Sequence, residues 1–540
     1  MKKNSVKQWF IRVFTRDINI ELKTFSYLFF SLLAIMLIVE ALVFEYLMLI
    51  RDLNTMGLET YVFVFIIAIS FFISGMIVDH IKNRTRYLNT TLFLCVIGLI
   101  VGVIPGVLLY YLGLLIILLA IPQLIIIWFT ILVHETNILN RGRISMFLLI
   151  PSFNLAAFSI FFIVFDSLYF IFGLLELIIF IVVYWYSKSY KYIETDVRLK
   201  SDKKYLEIIF EKHFFRYISS FTILSFTLGN LFSRYSFEVD FLIFFIVSSL
   251  YLIAAGCFLD NLGRKISIVL GILVVSFFLI SYGSFINEPY ILGMPRKVFL
   301  SIHYGFSICP LILAIFTIAG DFSTERGNLK FRGRINGIFM LLFFFGTILG
   351  FIFGKWIITV PYIEDVVPNF SNLLNSFILV ILLVWMMGMK EFLVSKEKKW
   401  AETLNDLLVF SKTGICLYEH NFEKKKKTEE PVQFDRDIVS GVLSGVLTII
   451  SEITRSKKEL RKIDKEGVFL LFGYGKYHIV ALIATMELPV LFKKLDEFSR
   501  EFENNFSKEL KSFQGNVSHF TQAKYLIKKY FSERYSDVAD

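Results

Sequence analysis

Hydrophobic residues along this chain fall in blocks of about twenty, separated by short polar stretches. About twenty apolar residues is the length that a helix needs to cross a hydrocarbon core ~30 Å thick. Because a bilayer holds no water, each block has to satisfy its own backbone hydrogen bonds, so the blocks are predicted to be helices. The pattern predicts twelve spans, at 26–50, 60–78, 88–105, 108–133, 144–164, 167–187, 216–234, 239–257, 266–285, 298–320, 334–354 and 371–389.

A long polar segment divides these spans into two sets of six, and beyond about residue 400 charged residues become frequent. The predicted fold is an all-α membrane protein with twelve transmembrane helices in two six-helix pseudo-repeats, plus a small cytoplasmic α/β domain. Its parts are a cytoplasmic N-terminal segment (1–25), an N-terminal half (26–187), a cytoplasmic central loop (188–215), a C-terminal half (216–389) and the α/β domain (400–540).

The residues beyond 400 show shorter apolar runs, of the length of strands or amphipathic helices. They predict a strand, an amphipathic helix, three further strands and two helices, at 413–419, 435–454, 459–464, 467–472, 477–485, 487–511 and 517–533.

Composition agrees with a membrane protein, because 56% of the residues are hydrophobic and only 19% are charged. Soluble domains carry about 25% charged residues. The net charge of +10 does not indicate nucleic acid, since 25 Lys and Arg residues lie in alternate loops and termini and only five on the opposite side. That bias predicts a multi-pass protein of the cell membrane with both termini in the cytoplasm.

Two short motifs occur once in each half. Gly75 and Asp79 follow the second span, as Gly256 and Asp260 follow the eighth, 181 residues later. The fourth and tenth spans are each followed by a glutamate and then by Arg-Gly-Arg, 191 residues apart, with the members Glu135, Arg141, Arg143, Glu325, Arg332 and Arg334. Such repetition predicts two parallel six-helix repeats, which is a recognised transporter plan.

Residues 256–265 (GCFLDNLGRK) resemble the G-x-x-x-D-(R/K)-x-G-(R/K)-(R/K) hallmark of the major facilitator superfamily, and the resemblance covers about residues 20–390. It implies transport by alternating access and a cytoplasmic gate around Asp79 and Asp260, with Arg264, Arg141 and Arg332 as candidate partners. The other motif positions are included in that gate, namely Gly75, Gly256, Gly263, Lys265, Glu135, Arg143, Glu325 and Arg334. The alternative is that the basic residues only set the topology.

Polar residues inside apolar spans are costly, so each is a functional hypothesis. Five lie there as candidates for a solute or ion cavity: Glu40, Asn154, Glu176, Asn230 and His303. In the superfamily the first, fourth, seventh and tenth helices line the cavity, which favours Glu40 and Asn230. Alternatively, Glu40 is held protonated or bonded to a neighbouring helix without a transport role, and His303 is an interfacial polar residue.

The C-terminal segment resembles longin/roadblock domains in its predicted order of strands and helices and in the helix phrase Ser440–Gly445. The resemblance covers about residues 410–535 and implies a platform for protein partners or for self-association. The alternative is a plain cytoplasmic cap that stabilises the membrane part or pairs it into a dimer.

Two functions remain open at this stage. The first is a secondary active transporter that moves a small solute, with proton or cation coupling undecided, and whose C-terminal domain regulates or scaffolds it. The second is a transporter-like receptor that signals through that domain. The chain shows no nucleophile constellation, no metal-ligand spacing and no phosphate-cradling loop, so neither an enzyme nor a cofactor is expected.

Overall fold

The computed structural model describes most of the chain. The described residues are 18, 20–49, 58–103, 107–164, 169–190, 205–234, 240–284, 290–324, 328–359, 370–389, 391, 400–422, 436–454, 459–465 and 467–531. The chain divides into two compact units, Met1–Leu393 and Val394–Asp540.

The described part of the first unit contains twelve helices of 18 residues or more. They are α1 (Leu22–Leu49), α2 (Leu58–His80), α3 (Arg84–Val103), α4 (Val107–Glu135), α5 (Arg141–Val164), α6 (Tyr169–Ser189), α7 (Lys212–Arg234), α8 (Phe241–Asn261), α9 (Arg264–Ser284), α10 (Arg296–Thr324), α11 (Arg332–Thr359) and α12 (Phe370–Met387). Within the described residues, six are long and apolar enough to cross a membrane, in α1, α3, α4, α8, α10 and α11. Shorter apolar stretches lie in α2 and α12.

Short elements lie between some of these helices, among them a 3-10 helix, Leu329–Phe331, before α11. A helical turn, Tyr205–Ile209, precedes α7. Before α10, Tyr290–Ile291 pairs antiparallel with Met294–Pro295.

The two sets of six helices meet through two equivalent helix pairs. Helix α2 packs against α11, and α5 packs against α8. Since α2 and α5 occupy the same places in the first six as α8 and α11 in the second, the two contacts are related by the repeat. Asn154 on α5 also donates a hydrogen bond to the Ser249 hydroxyl on α8, at 2.8 Å.

Glycines on α11 allow its backbone to approach α7 closely. A Cβ atom on Gly350 would overlap the backbone carbonyl of Phe226, and one on Gly346 would overlap Ser225. In return, a Cβ on Gly229 of α7 would overlap the carbonyl of Thr347. Small residues of this kind let membrane helices gain dispersion energy by close packing, and this explains the four-residue glycine spacing in α11.

The second unit is built on a five-stranded antiparallel sheet. Its strands are β1 (Leu404–Ser411), β2 (Cys416–Asn421), β3 (Lys462–Lys465), β4 (Val468–Tyr474) and β5 (His478–Ala484), in the spatial order β2-β1-β5-β4-β3. The helices are α13 (Arg436–Thr454), α14 (Pro489–Asn505), α15 (Ser507–Lys511) and α16 (Lys524–Phe531). Leu443 of α13 joins a buried cluster with Phe410 and Phe472 of the sheet.

The sequence-based prediction for this unit lacked its first strand and began the next one too early. Strand β1 pairs with both β2 and β5, so it is interior to the sheet, and its apolar run LLVF does not alternate with polar residues. Strand β2 begins at Cys416 because the residues before it form a turn in which Gly414 has a φ of +90°. Such a backbone conformation suits glycine.

We expect Gly350→Ala to destabilise the helical unit, because the new methyl group meets backbone that cannot rotate away. Overpacking of this kind costs about 1–3 kcal/mol. Gly271→Ala on α9 is the matched control, since a Cβ there has no neighbour within 4 Å. Thermal unfolding of the detergent-purified protein measures the effect. Equal melting temperatures for the two variants would contradict the proposed close contact.

Candidate functional site

Asp260, in the last turn of α8, binds the start of α5 in the other half. Its carboxylate accepts hydrogen bonds from the backbone N–H groups of Gly142 (3.0 Å) and Arg143 (2.8 Å). It also pairs with the Arg143 Nε at 3.2 Å and with the Arg264 Nη1 at 2.8 Å. The first N–H groups of a helix have no partner within the helix and carry partial positive charge, so a carboxylate is well placed there. We call this contact the Asp260 junction.

Asp79, in the last turn of α2, makes the equivalent contact with the start of α11. Its carboxylate accepts from the backbone N–H groups of Gly333 (2.6 Å) and Arg334 (3.2 Å), and the Arg334 Nε lies 3.4 Å away. This is the Asp79 junction. The two junctions thus join each half to the other through the same chemistry.

Glycines in both motifs are needed for these contacts because backbone meets backbone. A Cβ on Gly75 would lie 2.5 Å from the carbonyl oxygen of Gly333. A Cβ on Gly142 would lie 2.8 Å from the Asp260 carboxylate and 3.0 Å from the carbonyl oxygen of Gly256. Any larger residue would therefore push the helix N-terminus away from its aspartate.

A third aspartate, Asp321 near the end of α10, connects the halves beside the Asp260 junction. One carboxylate oxygen binds the Arg141 guanidinium, and the other accepts from the Arg264 Nε at 2.6 Å. All three side chains are fully buried. Arg264 also donates to Asp260 and to two backbone carbonyls, so one arginine links both aspartates. Buried charges are tolerated only when paired in this way.

Glu391 holds the start of α9. Its carboxylate accepts from the backbone N–H groups of Arg264 (2.7 Å) and Lys265 (3.0 Å). Gly263 has a φ of +117°, and a Cβ there would lie 2.6 Å from that carboxylate. The adjacent Gly263 and Arg264 of the motif therefore bring the α9 N-terminus onto an acid that follows α12.

Two further motif residues have other described contacts. Glu135 accepts a hydrogen bond from the Tyr190 hydroxyl at 2.6 Å. The Nη1 atom of Arg332 lies 3.5 Å from the Nδ1 atom of His134. Glu325 lies outside the described residues.

Three of the cavity candidates, Asn154, Asn230 and Glu176, have described contacts with residues outside the candidate set, namely Ser249, Asn375 and Cys95. The side chain of Glu40 lies outside the described residues, although its backbone belongs to α1. Asn230 is buried and donates to the Asn375 side chain on α12 at 3.0 Å, which favours a packing role. His303 on α10 and Glu176 on α6 are buried. Among the described residues, no three His, Cys, Asp or Glu side chains could together hold a metal ion.

Sequence reasoning missed Asp321 and Glu391, which complete the charge pairing. Both lie just beyond the predicted spans 298–320 and 371–389, so the prediction places them in polar loops. In the structure α10 continues to Thr324, so Asp321 lies on the helix and not in the loop that follows it.

Solved membrane proteins share the architecture of the helical unit. The proton:xylose symporter XylE, a major facilitator superfamily protein with 6-bromo-6-deoxy-D-glucose bound, aligns with a TM-score of 0.50 at 13% identity, over 68% of this chain and 96% of its own. A bacterial homologue of the iron transporter ferroportin, outward-facing, gives 0.50 at 14% identity, over 67% and 98%. The human organic anion transporter MFSD10 gives 0.48 at 10% identity, over 67% and 98%.

The first two alignments show that this chain has the major facilitator superfamily fold and is a multi-pass membrane protein. No protein-family model and no curated protein matches its sequence.

We expect Asp321→Asn to cause a large loss of stability, because it leaves Arg141 and Arg264 buried without their shared carboxylate. Breaking a buried pair costs about 3–5 kcal/mol. Asp240→Asn is the control: Asp240 caps α8 through the Ile243 N–H, and asparagine caps equally well. Thermal unfolding in detergent compares the two. If both melt as the wild type does, Asp321 does not hold the two arginines.

Proposed function

We propose that this protein is a secondary active transporter that moves a small solute by alternating access, with Asp79 and Asp260 as the pivots of its cytoplasmic gate. The observation that carries the proposal is the pair of equivalent junctions, in which each half binds a helix N-terminus of the other. Alternating access requires a connection between halves that closes one side and can be released, and hydrogen bonds to helix ends provide one.

The strength of these bonds suits a reversible gate. A hydrogen bond to a charged group contributes about 1.5–3 kcal/mol net. When the halves separate, water can replace the helix N–H groups around each aspartate. Opening therefore costs far less than exposing an apolar interface. The charge bias of the loops assigns this end of the helices to the cytoplasm.

Solutes of several classes suit the fold, and a proton or another cation is the proposed driving ion, with Glu40 as a candidate coupling residue. A transporter-like receptor uses the same junctions as a switch instead of a gate. No observation favours that second function over transport.

The gate proposal predicts that the distance between the two halves changes at the junctions. Spin labels attached at the exposed positions Lys82 and Lys330 report this distance. The full-length protein, with its native cysteines replaced, is measured in proteoliposomes. We expect a short distance in the wild type. The double variant Asp79→Asn, Asp260→Asn should shift the distribution to longer distances, because an amide cannot form the ion pairs with Arg143, Arg264 and Arg334.

Measurement of solute uptake distinguishes a transporter from a receptor. Uptake of labelled sugars, amino acids, peptides and organic anions is measured in the same vesicles. The transport proposal expects uptake of at least one solute that falls when both aspartates are replaced. Binding of a solute without uptake would favour the receptor, and a gate distance that never changes would contradict alternating access.

The second unit is proposed to act as a scaffold by self-association. The outward face of α13 exposes four large apolar side chains: Ile438 (63%), Val442 (59%), Ile449 (55%) and Ile453 (76%). Residues 438–451 contain no charged side chain. An exposed helix face is normally charged, and a helix that binds lipid carries basic residues on its polar side. An uncharged face of this kind suits another protein surface.

The spacing of these side chains indicates a second copy of α13 as the partner. The intervals are four, seven and four residues, which read the same in both directions. An antiparallel pair around a two-fold axis would place Val442 opposite Ile449 of the partner subunit. Gly445 lies beside the axis, and a Cβ there has no neighbour within 4 Å, so the two helices could approach closely.

This arrangement predicts rapid disulfide cross-linking of Val442→Cys, Ile449→Cys chains into covalent dimers, in full-length protein without its native cysteines. The control carries cysteines at Val517 and Tyr525, which are exposed elsewhere on the unit. Non-reducing gel electrophoresis reads the result. Equal cross-linking of the control, or none in the α13 variant, would contradict the pairing.

A further inference from the structure

Glu176 is a buried acid without a polar partner. It lies in α6 and is 2% exposed. Neither of its carboxyl oxygens has a hydrogen-bond partner in the described part of the chain. It differs in this from Asp79, Asp260 and Asp321, each of which meets helix N–H groups or arginines.

The helices packed against α6 bring no compensating charge to it. Helix α6 contacts α1, α3 and α5. On α3 the Cys95 thiol interacts electrostatically with Glu176, whereas Arg84 and Arg86 lie at the start of that helix. On α5, Arg141 binds Asp321 and Arg143 binds Asp260. On α1, Lys23 is exposed at the start of the helix, and the side chains of Glu40 and Glu45 lie outside the described residues.

Arg84 and Cys95 are eleven residues apart on α3. At 1.5 Å per residue, the arginine lies about 16 Å from the thiol along the helix axis. A cation at that distance cannot neutralise a carboxylate by contact. The Cys95 thiol gives no positive charge in either of its states.

An ionised carboxylate in such a place is expensive. Transfer of an unpaired charge into an apolar interior costs so much that the group is normally neutral instead. A bound proton removes the charge and leaves one O–H donor. An acid that is neutral in one conformation and ionised in another couples proton binding to the change between them.

We propose that Glu176 is the proton-binding site of the half formed by α1–α6, and that it carries its proton in the conformation with both junctions closed. It lies on a different helix from the gate aspartates, which bind helix N-termini. The use of this proton as the driving ion rests on the proposed transport function, whereas the binding itself does not.

Infrared difference spectroscopy of the full-length protein in proteoliposomes tests the binding. The wild type minus Glu176→Gln spectrum should show a protonated carboxyl C=O band at neutral pH that shifts in D₂O. The control, Glu21→Gln, replaces an exposed glutamate, and its difference spectrum should contain carboxylate bands instead. Carboxylate bands for both variants at neutral pH would overturn the proposal.

The distance between labels at Lys82 and Lys330 then tests the link to conformation. Raising the pH should shift the wild type toward longer distances, because ionised Glu176 disfavours the closed state. Glu176→Gln, which mimics the protonated form, should lose that pH response, and Glu21→Gln should keep it. An unchanged pH response in Glu176→Gln overturns the coupling. A gate that moves under no condition refutes alternating access, while the infrared result still decides proton binding.

Discussion

The structure of the helical unit depends on carboxylates placed at helix N-termini of the opposite half. A helix start offers several N–H groups that nothing in the helix can satisfy, and inside a protein in a bilayer water is not at hand to do so. Asp79 and Asp260 supply the missing acceptors across the two halves. The close approach that this needs explains why glycines stand at 75, 142, 256 and 333.

The two junctions are alike in hydrogen bonding and unequal in charge. Arg264 and Asp321 reinforce the Asp260 junction. The repeat spacings of 181 and 191 residues place Asn83 and Thr130 at the corresponding positions of the first half, and Thr130 bonds only to its own helix in the described structure. The positions that match Arg264 and Asp321 are thus both uncharged, and a single charge of that pair would be buried without compensation. The Asp260 junction therefore has ion pairs with no counterpart at these positions of the first half, where the buried Arg84 lies one residue further along.

Glu176 is also a buried acid of the helical unit, but its surroundings differ from those of Asp79 and Asp260. Asp79 and Asp260 meet helix N–H groups and arginines, whereas neither carboxyl oxygen of Glu176 has a hydrogen-bond partner among the described residues. We therefore propose different roles for these acids: Asp79 and Asp260 close the gate between the two halves, and Glu176 binds a proton. The apolar face of α13 adds a third region, whose exposed apolar side chains we propose to bind a second copy of the helix.

The sequence alone determined the apolar helices, the division into two repeats and the residues of the two gate motifs, because these depend on local composition and on spacing along the chain. It placed Asp260 and Arg143 among the gate residues without showing that they touch, and it gave no sign that the Asn230 amide donates to Asn375. It omitted Asp321, Glu391 and strand β1. Only the tertiary structure decides such pairs, since their members lie 57 to 180 residues apart and a buried charge is satisfied by whatever group the folded chain brings to it.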